Sequence, residues 1–228
     1  DGDYIYKLYK VDLKNGVPKG NPKLFLKDES GRFNVGSASV TKDGNYMVVC
    51  QNVSEEVKNS NGKRGNTYGL YFSERNLSGK WSRLKPLVLG TKKLNNLIHP
   101  ALSDNGKFLA FASDMPGGEG QFDIYIADLN GNITKQLTNS PGYDAEAVVS
   151  PDGKKIAFTS IRSGDLELYT MDIDGSNLKQ ITTGSGYDGG CFFSHDSKKL
   201  VFRSSRPKTA EAIKEYKDLL AQNLVAPS

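Results

Sequence analysis

One pattern limits the fold of this chain more than any other. Four segments repeat the order apolar strand, turn of the Asp-Gly or Asn-Gly type (Asp-Ser in the fourth), apolar strand. They are Ser37–Cys50, Pro100–Ser113, Ala147–Ser160 and Cys191–Ser204. An Asn-Gly or Asp-Gly pair supplies the positive φ angles of a two-residue hairpin, so each segment reads as a β-hairpin. A second hairpin follows in the same relative place. Tyr9-x-x-Asp12, Tyr71-x-x-Glu74, Tyr125-x-x-Asp128 and Tyr169-x-x-Asp172 open it, and turns at Asn15-Gly16, Ser78-Gly79, Asn130-Gly131 and Asp174-Gly175 follow. Last strands are expected near Lys23–Leu26, Trp81–Leu87, Ile133–Leu137 and Leu178–Ile181. Two successive hairpins make a four-stranded meander. Its turn residues Gly44, Gly106, Gly153 and Ser197 are 62, 47 and 44 residues apart, the first step lengthened by a loop at 53–66. Four strands in about 40–50 residues is the period of a propeller blade.

The expected fold is therefore all-β, a β-propeller of about four four-stranded antiparallel blades with one short helix near the C-terminus. The 228 residues read as a single domain, within the ~200–250 that one all-β unit commonly takes. Its parts are a half-blade at 1–28, blades near 33–90, 95–139 and 142–184, and a half-blade plus helix at 186–228. Residues Ala210 to Asn223 carry Ile213, Tyr216 and Leu220 on one face, behind an N-cap at Thr209. Two arrangements stay open for the half-blades. The N-terminal strands could pair with the C-terminal hairpin, covering both strand edges, or the chain could be a piece of a longer propeller.

Glycine, at 24 residues, is concentrated in the turns. The formal charge of +4 is spread, with both signs alternating, and no basic stripe marks a nucleic-acid partner. The basic run Lys58 to Arg64 reads as a solvated loop. No segment approaches the ~20 apolar residues of a membrane-crossing helix, so no membrane insertion is expected. Cys50 and Cys191 fall in apolar strands and read as buried free thiols, with a disulfide as the alternative.

Motifs for chemistry are few. There is no Gly-x-Ser-x-Gly elbow, Cys-x-x-Cys pair or His-Glu-x-x-His sequence, and nothing calls for a cofactor. A Ser-His-Asp arrangement needs a histidine beside a nucleophile, and only His99 and His195 exist. His195 sits in a turn, in the slot of Pro151. Asp172-x-Asp174-Gly lacks the closing Glu of a calcium loop and recurs as a hairpin turn. No catalytic residues are assigned.

Aligned repeats place Ser37, His99, Glu146 and Gly190 at one position, just before the innermost strand of each blade, where they would ring the channel mouth. Tyr143-Asp144 and Tyr187-Asp188 precede that ring, with Asn34 and Asn96 replacing the tyrosines. Aromatics beside carboxylates on scaffolded loops suit partner contact. The candidate binding set is Asn34, Asn96, His99, Tyr143, Asp144, Glu146, Tyr187 and Asp188. In the alternative, each merely suits its turn, the tyrosines wedging between blades and the aspartates capping loop amides. Asp144, Glu146 and Asp188 could also converge on calcium, but no metal site is assigned. Arg162 and Arg206 share a position after the second strand, where other repeats have Val53 and Met115. Their rigid fork suits hydrogen bonds to loop carboxylates or carbonyls between blades.

The repeats resemble the TolB-type, WD-like propeller family of bacterial envelope proteins, whose blade motif runs Ser-Pro-Asp-Gly-Lys, strand, Ser-x-Arg. Ser150 to Arg162 matches it closely, Ser194 to Arg206 with His195 and Ser197 as departures, and Leu166 to Thr182 matches the second hairpin. Residues His99 to Tyr125 are similar to propellers of OmpA-family, peptidoglycan-associated lipoproteins of Bacteroidetes. The resemblance implies an exported protein in the periplasm or associated with the outer membrane, a non-enzymatic scaffold that binds an envelope protein. Such propellers usually have more blades than are counted here. Two alternatives remain: an accessory or gating propeller of a peptidase or carbohydrate-active enzyme, and a structural unit that self-associates to complete its ring.

Overall fold

The Ser-x-Asp-Gly-Lys motif builds its turn by clasping it with side chains. In the computed structural model, which describes residues 6–25, 34–52, 57–58, 64–65, 67–90, 95–119 and 121–222, the Ser150 hydroxyl donates to Asp152 Oδ1 at 2.6 Å. The same carboxylate oxygen accepts the Lys154 N–H at 3.1 Å, and Ser150 Oγ accepts the Lys155 N–H at 2.9 Å. Ser194 and Asp196 repeat the clasp, as do Thr41 with Asp43 and Ser103 with Asn105. Only the fourth turn residue has a positive φ: 70° at Gly44, 66° at Gly106, 70° at Gly153 and 61° at Ser197. The sequence reading of two-residue turns is thus corrected at these four hairpins. The hydroxyl and carboxylate hold a longer turn in which a single left-handed residue suffices. At Asn15-Gly16 both residues have positive φ, 53° and 77°, and Lys14 faces Val17, so that hairpin is the tight one.

In chain order the strands are β1 (Tyr9–Lys14), β2 (Val17–Leu24), β3 (Val35–Val40), β4 (Tyr46–Asn52), β5 (Val57–Lys58), β6 (Arg64–Gly65), β7 (Tyr68–Glu74), β8 (Lys85–Pro86), β9 (Leu97–Leu102), β10 (Leu109–Ser113), β11 (Asp123–Ala127), β12 (Ile133–Gln136), β13 (Asp144–Val149), β14 (Lys155–Ser160), β15 (Glu167–Asp172), β16 (Lys179–Gln180), β17 (Asp188–Phe193) and β18 (Leu200–Ser204), followed by helix α1 (Ala210–Ala221). They form three four-stranded antiparallel meanders, β3-β4-β7-β8, β9 to β12 and β13 to β16. The hairpins β1-β2, β5-β6 and β17-β18 are separate two-stranded sheets. The first and last hairpins do not pair with each other, so the arrangement in which they join within one chain is absent. Leu26, Val53 and Asn223 lie outside the described residues.

What stacks the sheets is burial on both faces. Every residue of β10 and β11 is buried, and alternate side chains go to opposite neighbours. Leu109, Phe111 and Tyr125 pack with Val48, Cys50 and Leu70 of the preceding sheet. Ala110, Ile124 and Ile126 pack with Ile156, Phe158 and Met171 of the following one. Ala157 and Leu168 in turn meet Cys191, with Phe193 and Leu200 beside them. At the other end, Leu8 and Phe25 close on Val35, Met47 and Val49, with Phe25 edge-on to Trp81. Successive first strands β3, β9, β13 and β17 lie against one another, forming the inner wall. A two-layer sandwich would leave one face of each sheet to solvent; here the central strands of the middle sheets are covered on both.

Helix α1 begins at Thr209, whose hydroxyl accepts the Ala212 N–H at 3.2 Å. It is anchored by the Tyr216 hydroxyl, which donates to Asp165 Oδ1 in the loop between β14 and β15. No helix of the described residues is long and apolar enough to cross a membrane.

Phe111 is wholly buried between two sheets. Its replacement by alanine removes packing and leaves a cavity, an expected loss of about 3–5 kcal/mol in urea unfolding. Leu77→Ala, at a fully exposed position, should stay within about 0.5 kcal/mol of the parent.

Candidate partner-binding site at the channel end

Each first strand carries an irregularity at one level, and it puts side chains in reach of the next sheet. The register slips between Ala145 and Val148 in β13 and between Gly189 and Phe192 in β17, and likewise in β3 and in the pairing of β9. At that level His99, Glu146 and Gly190 have left-handed φ values of 51°, 56° and 57°. A non-glycine residue in this region costs free energy unless its surroundings hold it. Here they do. The Glu146 N–H donates to His99 Nδ1 at 3.2 Å, and the Gly190 N–H donates to Glu146 Oε2 at 3.0 Å. Side chains of one inner strand thus accept the backbone amide of the next. Ser39 Oγ does the same for the Leu102 N–H at 2.9 Å. Ser37, aligned with His99 in the repeats, is exposed and is not the tie.

Glu146 is the hub. Its Oε2 also accepts from the Thr159 hydroxyl at 2.7 Å and the Tyr187 hydroxyl at 2.9 Å, while Oε1 lies 3.7 Å from the Arg203 guanidinium. That guanidinium sits 5.6 Å from the Tyr187 ring centre and keeps about half of its side-chain surface open. Gly189 is required by this crowding: a Cβ there would stand 2.3 Å from the Tyr187 hydroxyl and 2.7 Å from Glu146 Oε2. Burial, with the adjacent Glu146 charge, pushes the Tyr187 phenol above its ordinary pKa. Tyr143 is raised in the same way and leans on Phe122 at 6.3 Å, edge to face.

Asp144 and Asp188 lie deeper than contact residues would. They are 1% and 0% exposed. Asp144 Oδ2 accepts from Arg162 at 2.9 Å and from the Ser140 hydroxyl at 2.7 Å. The Arg162 guanidinium is further bonded to Ser160 Oγ and stacked over Phe158 and Tyr169. Arg206 holds Asp188 at 2.7 Å in the next repeat. Both arginines pair with a carboxylate, but within one sheet rather than between blades: Arg162 follows β14 and Asp144 opens β13, and Arg206 and Asp188 stand likewise at β18 and β17. Removing Arg162, whose side chain is only 20% exposed, strands the buried Asp144 charge, at a cost of about 3–5 kcal/mol. Burial raises the carboxyl of Glu167. For Asp188, burial is outweighed by donors from Arg206 and Ser204, and its pKa is lowered.

Asn34 and Asn96 do local work. Asn34 Oδ1 accepts the Tyr6 N–H at 2.8 Å, and Asn96 Oδ1 accepts the Tyr68 N–H at 3.1 Å. Asn96 also donates twice to Asp114, at 2.7 Å each. Beside Asn96 and His99 lies a cavity of about 420 Å³ whose wall includes Ser37, Cys50, Tyr68 and Phe122. Burial pushes the Cys50 thiol up to about 12, so it is no nucleophile. Cys50 and Cys191 are both free and buried. Asp144, Glu146 and Asp188 go to different donors, and among the described residues no three acidic, histidine or cysteine side chains gather to hold a metal. Arg203 and Phe122 were missed in the sequence. Arg203 stands where β14 has Thr159, and a long cation at a small second-strand position was the available signal.

A family profile described as the TolB beta propeller domain matches residues 87–222. A curated protein named Protein TolB homolog, from Chlorobaculum tepidum, is 36% identical over 155 residues, which is 68% of this chain and 32% of that protein. Its namesake from Chlorobium luteolum is 37% identical over 68 residues, 30% of this chain and 15% of that one. The chain thus spans a third or less of these curated relatives. Among solved structures, TolB from Acinetobacter baumannii superposes with a TM-score of 0.56 at 26% identity, covering 80% of this chain and 40% of that one. A chain of a nidogen/laminin complex gives 0.62 at 14% identity, covering 88% and 67%, and puromycin hydrolase 0.59 at 16%, covering 79% and 27%. The last two share the fold alone.

Burial lowers the His99 pKa, against an opposing pull from Glu146. The folded protein favours the neutral ring, whereas the unfolded chain takes up its proton near about 6.5. Stability from this group is therefore full above that pH and declines as pH falls below it. His99→Asn keeps an acceptor, tolerates φ of 51° and cannot titrate. Its melting temperature should match the parent at about pH 7.5 and exceed it at about pH 5.5; equal acid sensitivity would place the titrating group elsewhere.

Proposed function

The chain belongs to the TolB β-propeller domain family, and from that membership we propose that it is a non-catalytic, protein-binding scaffold of the bacterial cell envelope, located in the periplasm or at the outer membrane. The channel end of the inner wall is its binding face. One observation carries this reading: a half-open arginine, Arg203, is poised over Tyr187 and beside the Glu146 carboxylate, at the rim of a wall otherwise closed by backbone ties. Arginine and tyrosine dominate the energetics of protein interfaces, because each combines apolar area with directional donors. Tyr143 and the cavity beside His99 and Asn96 extend the face around the axis. Asp144 and Asp188 act underneath, fixing the loops through Arg162 and Arg206.

The partner is a protein segment presenting a carboxylate or carbonyl to Arg203 and an apolar side chain to the cavity. The resemblance of residues His99 to Tyr125 to propellers of envelope lipoproteins supports the location. Against a hydrolytic role stands the geometry of His99, whose Nδ1 is taken by the Glu146 amide rather than by an orienting carboxylate.

Immobilised chain exposed to a bacterial envelope extract, with bound proteins identified by mass analysis, should retain a partner. Arg203→Glu combined with Tyr187→Ala should weaken that partner's affinity at least tenfold, about 1.4 kcal/mol, while circular dichroism still shows a folded β protein. Equal capture by the variant would remove the channel end from the binding face.

A further inference from the structure

The joint between the β13 to β16 sheet and the last hairpin buries two acids with too few donors. Glu167 opens β15 opposite Ser160, and Asp188 opens β17 opposite Ser204. The Asp188 N–H donates to the Leu166 carbonyl at 2.8 Å, and the two carboxyl groups stand within hydrogen-bonding reach of each other. They are 2% and 0% exposed. Among the described residues no donor reaches Glu167 Oε2 or Asp188 Oδ1. As carboxylates both groups only accept, so neither can satisfy the other. A buried oxygen left in that state is costly.

Arg206, beyond β18, feels the charges of Asp188, Glu167 and Asp165 and donates to Asp188 Oδ2 at 2.7 Å. Asp165, in the loop before β15, accepts the Gly186 N–H at 3.3 Å and the hydroxyl of Tyr216 from α1. Hydroxyls of Thr182, after β16, and Ser204, on β18, serve Glu167 and Asp188. Arg162, after β14, is committed to Asp144. Among the described residues no three acidic, histidine or cysteine side chains gather to hold a metal; what fits between the two oxygens is a proton. Burial, with the Asp188 and Asp165 charges, raises the Glu167 carboxyl accordingly. The preceding joint is built alike. Asp123 opens β11 opposite Ser113, the Asp144 N–H donates to the Phe122 carbonyl at 2.9 Å, and Asp144 Oδ1 is again buried without a partner. At the first joint, Gly69 and Leu97 hold those places.

We propose that Glu167 and Asp188 share one proton in the folded protein and make this joint a pH-sensitive latch, which loosens the last hairpin when the proton leaves. The Glu167 hydroxyl donates to Asp188, whose other oxygen stays with Arg206. Loss of the proton to solvent sets a second negative charge against the first in a dry site, and the two repel. The Glu167 pKa is raised on folding. Its contribution to stability is therefore full below its ordinary value of about 4.3 and is lost as pH rises through the folded value. The same hairpin carries Tyr187 and Arg203, so on the function proposed above partner binding weakens as the latch opens.

Carbon NMR of the isotopically labelled chain tests the shared proton. The Glu167 carboxyl signal, identified by its loss in Glu167→Gln, should titrate at least about one pH unit above the ordinary value of about 4.3. Glu167→Gln keeps the shape, is neutral at every pH and offers an N–H to Asp188. Amide exchange tests the latch. Across that midpoint the protection factor of the Asp188 amide should fall at least about tenfold in the parent. It should stay constant in Glu167→Gln, with the amides of β10 constant in both. A carboxyl midpoint at or below the ordinary value, or the same pH response at Asp188 in parent and variant, would overturn the proposal. Neither readout involves a partner, so their failure leaves the proposed binding face standing.

Discussion

A sheet that is apolar on both faces cannot stand alone in water, and this constraint organises the whole molecule. Side chains of β10 and β11 alternate between two separate cores, one shared with the preceding sheet and one with the following sheet. Each large residue removed from water contributes roughly 1.5–3 kcal/mol, so the preference is for stacking without end until the ring closes or something else covers the last face. Radial order follows. So does the placement of the first strands side by side, because every sheet is stacked in the same orientation.

The inner wall is where stacking becomes specific. Apolar faces alone would let neighbouring sheets slide. The left-handed residues His99 and Glu146 prevent this by turning their side chains toward the next strand's amide. A buried amide left unpaired would be costly, so each tie fixes the height of one sheet against its neighbour. That same geometry brings Glu146, Tyr187 and Arg203 together. Beneath them the buried Asp144 and Asp188 are held by Arg162 and Arg206.

Much of this was legible in the sequence. Ser150-Pro-Asp-Gly-Lys gave the hairpin and Tyr169-x-x-Asp172 the next one, because each motif acts over a few residues or repeats at one spacing. Thr209 likewise marked the start of α1. What the letters hid depends on distance in space. The turn type was misread because the Ser150 hydroxyl, three residues before Gly153, takes part in it. Asp144 and Asp188 look like loop residues in sequence, yet register places them inside the sheet against an arginine 18 positions on. Glu146 aligned correctly with His99, but its reach to Gly190 in the next sheet, 44 residues away, has no local signal. Nor could pattern alone decide whether the half-blades meet within one chain, since that depends on how far apart the arc holds them.

Amide hydrogen exchange at two positions tests the account most directly. If inner strands are locked side by side by side-chain acceptors, the amides of Glu146 and Gly190 exchange slowly, and Glu146→Ala frees the Gly190 amide while those of β10 stay protected. Exchange at Gly190 as fast as in surface turns, or protection untouched by the loss of the Glu146 carboxylate, would contradict an inner wall tied from sheet to sheet.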